Sequence, residues 1–218
     1  MFNKILVLLL FVVLVGCVST KERPMTETIE NELKSHSVIV TKRDLPDFSA
    51  MTAGKMMFGL LGAAAMISQG NEIVQENNIS DPADYISAEL LTALSKKYEL
   101  KLIDNNGKEV KGEGASDLIQ IYTGADFILD MRTINWSFSY FSGDWNNYRV
   151  IYNAKLRIID TKKGESVAEG FCSHIPDKNE NGPSRQELLA NQAERLKSEL
   201  MIAANYCISY FKENTLKI

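Results

Sequence analysis

Between Ala125 and Ile158 the chain alternates apolar and polar residues almost without a break, a period that only extended chain with one buried face satisfies. Phe127, Leu129 and Met131 share one parity, and Ile134, Trp136, Phe138 and Tyr140 take the other. The change of parity predicts a bulge between Met131 and Ile134 that re-aims the side chains. Ser142-Gly143-Asp144 makes a turn, and Tyr148, Val150, Tyr152, Ala154, Leu156 and Ile158 line the return strand. After Lys162–Glu165 turns again, Val167–His174 completes an antiparallel meander. Upstream, Ser37–Thr41 is a β-branched strand ended by Leu45-Pro46-Asp47-Phe48, because proline has no N–H for a sheet. Ser80-Asp81-Pro82 starts a helix over residues 82–97, with Ile86, Leu90, Leu91 and Leu94 on one stripe. Tyr98–Ile103 alternates as a strand up to the turn at Asp104–Gly107, and Ala115–Tyr122 makes a short helix. A long amphipathic helix runs from Ser184 to about Glu213. The pattern is α+β: a two-layer sandwich whose mixed sheet of about five strands ends in an antiparallel meander, with helices packed on one face.

The first residues are of another kind. Met1-Phe2-Asn3-Lys4 precedes an apolar run, Ile5–Val15, too short to span a bilayer and built like an export signal. It ends in Leu14-Val15-Gly16-Cys17, which resembles the lipobox of bacterial lipoproteins. The resemblance implies that residues 1–16 are a signal peptide and that Cys17 is acylated and becomes the mature amino terminus. Val18, not aspartate, follows Cys17. In enterobacterial-type sorting that implies the outer membrane, with the protein facing the periplasm. Residues 17–35 are polar and charged, a flexible tether, which leaves 36–218 as a single domain. A formal charge of -4 with mixed signs fits neither a nucleic-acid binder nor strong docking on anionic headgroups. The expected partners are therefore a membrane, through the lipid, and an envelope protein or a second copy, with no nucleic acid.

Two apolar stretches stand out. Residues 53–78 form an insertion in which Gly54–Ile67 is apolar nearly all round. It is expected to be a buried helix packed on the sheet or another subunit, or else a membrane-contacting or oligomer-forming segment. The second stretch is aromatic: Trp136, Phe138, Tyr140, Phe141 and Trp145 on one hairpin. These residues either pack beneath the sheet's own helices or form a protein-binding edge, since Trp and Tyr combine contact area with a polar handle. Cys172 on the last strand and Cys207 on the buried stripe of the final helix are candidates for a disulfide in an oxidising compartment, or are two separate buried thiols.

Catalytic motifs are lacking. His36 and His174 have no metal-ligand spacing around them, and neither a nucleophile elbow nor a phosphate-binding glycine loop occurs. Asp126 and Asp130 stand roughly 13 Å apart along one strand face, too far for a glycosidase pair, and are expected to be solvated. No catalytic residue, metal or cofactor is expected. The order of elements, together with the lipobox, resembles the amino-terminal domain of TolB and its relatives among periplasmic lipoproteins, including LpoB and CsgG. That resemblance implies a non-enzymatic binding or assembly factor. Its CsgG branch implies an alternative, an oligomeric pore or outer-membrane assembly using residues 53–67 and the 134–154 hairpin. Alternating aromatic and Ser/Asn residues suit a barrel strand, while Asn146, Asn147 and Arg149 suit a lipid-facing one poorly.

Overall fold

The structure, a computed structural model, describes residues 22–56, 58–112, 114–177 and 182–218; the signal segment, the lipobox and Cys17 lie outside the described residues. In chain order the elements are α1 (Glu27–Leu33), β1 (Ser37–Val40), β2 (Lys42–Arg43), β3 (Phe48–Ala50), α2 (Ala53–Met56) and α3 (Gly59–Glu76). Next come α4 (Pro82–Tyr98), β4 (Lys101–Ile103), β5 (Glu109–Val110), α5 (Ala115–Ile121), β6 (Phe127–Phe141) and β7 (Asp144–Asp160). The chain closes with β8 (Glu165–His174), α6 (Arg185–Tyr210) and a π-helical turn, Phe211–Leu216.

The main sheet has the order β4-β1-β6-β7-β8, with β3 paired to β6 farther along. β6, β7 and β8 are antiparallel, whereas β1 and β3 run parallel to β6. This is the mixed α+β arrangement the periodicity predicts. The register shifts between Thr133 and Asn135, so Ile134 bulges out. Phe127, Leu129 and Met131 before the bulge and Trp136 and Phe138 after it consequently reach the same core. Residues of α3, α4 and α6 join that core on one face of the sheet. The short α5 instead covers the opposite face, where Leu118 and Tyr122 pack on Ile39, Ile128 and Ile159.

Three local expectations need correction. Residues 23–33 are not tether. Arg23 exchanges backbone hydrogen bonds with Glu169 on the edge strand β8 (2.7 and 2.8 Å), and the Met25 amide donates to the Thr215 carbonyl at 2.7 Å. Thr26 caps α1, which buries Ile29 and Leu33. The i,i+4 pair of apolar residues stands among five acidic and polar positions of the helix, too few to show a period, and an unpaired β8 edge needs a partner. Phe48–Ala50 is a strand where a chain break was expected, since Pro46 precedes rather than enters the ladder. The last helix is not continuous: Ser184 and Glu187 form a capping box, but Asn191, Gln192 and Ala193 sit at φ of 51°, 57° and 56° and separate the first turn from the rest. Cys172 and Cys207 are disulfide-bonded with a Cα–Cα distance of 5.6 Å, tying β8 to α6. Closing a loop with that sequence separation of 35 is worth about 4 kcal/mol on chain-entropy grounds.

Candidate functional site

The most unusual surface is built by α2 and α3. Gly59 turns the chain with φ +55°, a value that glycine adopts without strain. At Gly62 a Cβ would collide with the Lys55 carbonyl, so α2 rests directly on α3. Lys55, the one charge near the turn, is drawn inward: its Nζ donates to the Ala65 carbonyl (3.0 Å) and to Gln69 Oε1 (2.6 Å), and desolvation lowers its pKa. The second half of α3 docks on the sheet. Gly70 packs against the Phe48 carbonyl, and Met66, Ile73 and Val74 are buried. The first half does not dock. Leu60, Leu61 and Phe58 are 90%, 81% and 69% exposed, and Ala63, Ala64, Ala65 and Ile67 are exposed with them. The expectation of a buried helix therefore holds only for the part after Met66. In the sequence, all-round apolarity signals burial, but here only α2 covers the projecting half.

The projection has a direction. Phe48 is paired with Trp136, and Asp81, farther along the chain from Gly70, touches Thr133. α3 thus runs away from the Ser142–Gly143 turn, and its exposed half lies on the side of that turn. Trp145, 68% exposed, belongs to the same end.

The aromatic hairpin has the opposite fate. Trp136 and Phe138 are fully buried and Phe141 nearly so; Tyr140 is half-buried against the core. Trp136 meets Phe48 edge-on at 5.1 Å and donates from Nε1 to the Pro46 carbonyl (3.1 Å); Phe138 meets Tyr148 at 5.7 Å. Arg149 lies 5.2 Å over the Phe141 ring. Trp136, Phe138 and Phe141 are core residues and cannot form a partner-binding edge, which corrects that reading; of the five, Trp145 alone is an exposed contact residue. The bulge aims Trp136 and Phe138 inward, beneath the helices, and a second register shift between Tyr140 and Phe141 precedes the buried Phe141.

The carboxylates also differ from expectation. Asp130 is buried, not solvated, between Arg43 Nη2 and Arg157 Nη2, both at 2.6 Å, with Thr41 Oγ1 donating at 3.0 Å. Burial alone would raise its pKa, but the two guanidinium groups outweigh burial and hold it below the usual carboxylate range. Asp126 accepts from the Ser37 hydroxyl (2.6 Å) and amide (3.1 Å) with Lys162 nearby, and is held well below that range. The capping Asp81 accepts from Thr133, whose hydroxyl is 2.9 Å from Tyr152, and burial pushes it up to about 6. His36 sits before β1, and the His174 ring meets that of Tyr206 at a tilt with centroids 5.0 Å apart, its pKa lowered by burial. Among the described residues no group of His, Cys, Asp and Glu is placed to hold a metal ion, and no helix is long and apolar enough to cross a membrane.

A surface missed in the sequence lies on the outer side of α4 and α6. Tyr85 and Met201 are exposed there and line a cleft of about 240 Å3 together with Ile79, Pro82, Leu200 and Lys197, while Ile202 and Tyr206 are exposed farther round α6. The signal was present: these apolar residues lie off the stripes that bury Ile86, Leu90, Leu200 and Cys207.

The sequence matches no protein-family model and no curated protein. Among solved structures the chain is similar to a Helicobacter pylori protein described as a neuraminyllactose-binding hemagglutinin homolog, with 12% identity, 90% of each chain covered and a TM-score of 0.34. It is also similar to lipoprotein GNA1162 from Neisseria meningitidis, with 17% identity, 80% of this chain and 98% of that chain covered, and a TM-score of 0.28. Likeness at this level carries no argument about what the chain does.

Proposed function

We propose that this chain is a lipid-anchored, non-enzymatic protein of the bacterial envelope that serves as a binding or assembly factor. The Leu14–Cys17 box supports the anchor, Val18 after it supports the outer-membrane address, and the lack of catalytic motifs supports the non-enzymatic part. The observation that carries the binding role is the α4–α6 face. It is one-sided, mixes Tyr and Met with an aliphatic residue, surrounds a cleft and has a polar rim at Lys197 and Asn205. That composition is the one found at the centre of protein interfaces. Replacing Met201 and Ile202 with glutamate should abolish cross-linked adducts between the acylated protein and envelope proteins, with the circular dichroism unchanged. An identical adduct pattern in wild type and variant would remove the α4–α6 face as the binding site. Mass analysis of the mature amino terminus tests the anchor: an unmodified, uncleaved chain overturns it.

A second reading, a homo-oligomeric assembly through residues 53–67 and the hairpin, is favoured by one observation: the exposed half of α3 and Trp145 share an end of the molecule. Light scattering of the solubilised, acylated protein decides it, and a monodisperse monomer rules it out.

A further inference from the structure

We infer that the α2–α3 turn inserts into the lipid bilayer that carries the Cys17 anchor, so that the sheet lies along the membrane instead of standing up from it. This rests on the anchored reading above for the orientation, and on the geometry of the turn for the insertion.

The turn has the chemistry of a bilayer contact. No Asp, Glu, Lys or Arg occurs between Lys55 and Glu72. The Lys55 ammonium is already satisfied by Ala65 and Gln69, and the turn amides of Phe58 and Gly62 donate to Lys55 and Phe58 carbonyls (3.1 and 3.4 Å). These internal bonds lower the cost of leaving water, while the first amides of α3, which have no side-chain cap, suit the interfacial level rather than the hydrocarbon interior. The exposed positions 60, 61, 63, 64, 65 and 67 cover more than half the helix circumference at about 100° per residue. The side left over is closed by α2 at Gly62. A flat protein surface covers one face of such a projection; lipid surrounds it. Trp145, exposed at the same end, is of the type that sits at headgroup level.

The length of chain before the body sets the orientation. Arg23 is pinned to Glu169, which pairs with Arg157 on β7. Arg157 lies thirteen residues from Asp144 at the hairpin end, a distance of roughly 43 Å. The six residues from Cys17 to Arg23 reach at most about 20 Å. Both ends can therefore meet one bilayer only if the sheet axis lies within about 30° of the membrane plane.

The test uses the acylated full-length protein, its lipid verified by mass, with Leu61→Cys carrying an environment-sensitive fluorophore. It is reconstituted into vesicles of phosphatidylethanolamine and phosphatidylglycerol. Emission should shift to shorter wavelength and be roughly halved by nitroxide-bearing lipid, as expected for a side chain at the acyl boundary. The same label at Lys111→Cys, on the opposite face, should stay accessible to aqueous iodide. Phe58→Glu with Leu60→Glu should return the Leu61→Cys label to water without changing the unfolding midpoint, since both side chains are exposed. A label at 61 open to iodide in acylated protein overturns the insertion. A label shielded from both quenchers in a particle of twice the mass overturns it in favour of a second copy. A chain without lipid overturns the anchored reading, while quenching by nitroxide-bearing lipid in that chain would leave the insertion standing without its orientation.

Discussion

The β6–β7 hairpin and the α2–α3 turn are the two most apolar stretches of the folded body, and their positions are the reverse of what their compositions suggest. The hairpin carries the aromatics of an interface, yet Trp136 and Phe138 are buried without remainder. α3 carries the all-round apolarity of a core helix, yet Leu60 and Leu61 stand in the open. Hydrophobicity says how strongly a side chain favours leaving water; it does not say whether another element will be there to receive it. Helices roof the hairpin and β3 extends its sheet, whereas before Met66 the four-residue α2 is what packs on α3.

That contrast can be broken by substitution. Trp136→Ala should cost about 3–5 kcal/mol in a denaturant titration, because it leaves a cavity beside Phe48 and an unpaired Pro46 carbonyl. A loss under about 1 kcal/mol would mean that the hairpin is not core. Asp130→Ala should come close, at about 3–4 kcal/mol, because it strands the Arg43 and Arg157 charges in the base of the same hairpin. Asp130 is held below its ordinary pKa. Its contribution is therefore present above about pH 4 and is lost as pH falls through its native value, so the wild-type advantage over the variant should shrink in acid.

Asp81 sits at the start of α4, on Thr133 of β6, and it titrates in the opposite sense. Its native value of about 6 lies above the ordinary 3.8, so the folded state holds a proton that the unfolded chain has released. Stability should fall as pH rises from about 4 to 6. Asp81→Asn keeps a capping side chain, and should flatten that fall and stabilise the protein at neutral pH by about 1–3 kcal/mol. No gain at pH 7 would mean that the carboxylate is better solvated than its burial implies. At the far end of the scale, Leu60→Ser with Leu61→Ser should leave the unfolding free energy within about 0.5 kcal/mol, since neither side chain loses a buried contact. A destabilisation as large as that of Trp136→Ala would show that the turn is covered by protein after all.

Much of the fold was legible because it depends on periodicity. The parity change at Met131–Ile134 marks the bulge, the Ser80-Asp81-Pro82 sequence marks the α4 cap, and stripes such as Ile86-Leu90-Leu94 name the core face. α1 was hidden because two apolar residues among charges are too few to show a period; the free edge of β8 gives the chain its place. Tyr85 and Met201 lie off the helical stripes, and only the side-by-side packing of α4 and α6 brings them to one cleft.

From residue order come the Leu14-Val15-Gly16-Cys17 sequence, the alternation that makes a meander, and the charge-free stretch after Lys55, all local properties carried by neighbours in the chain. Which face of the sheet is roofed, which carboxylate finds two arginines, that Cys172 meets Cys207, and that half of α3 is left uncovered are decided between elements far apart in sequence. Burial is a property of the neighbours that arrive, and those neighbours are assigned only when the sheet order and the helix crossings are set.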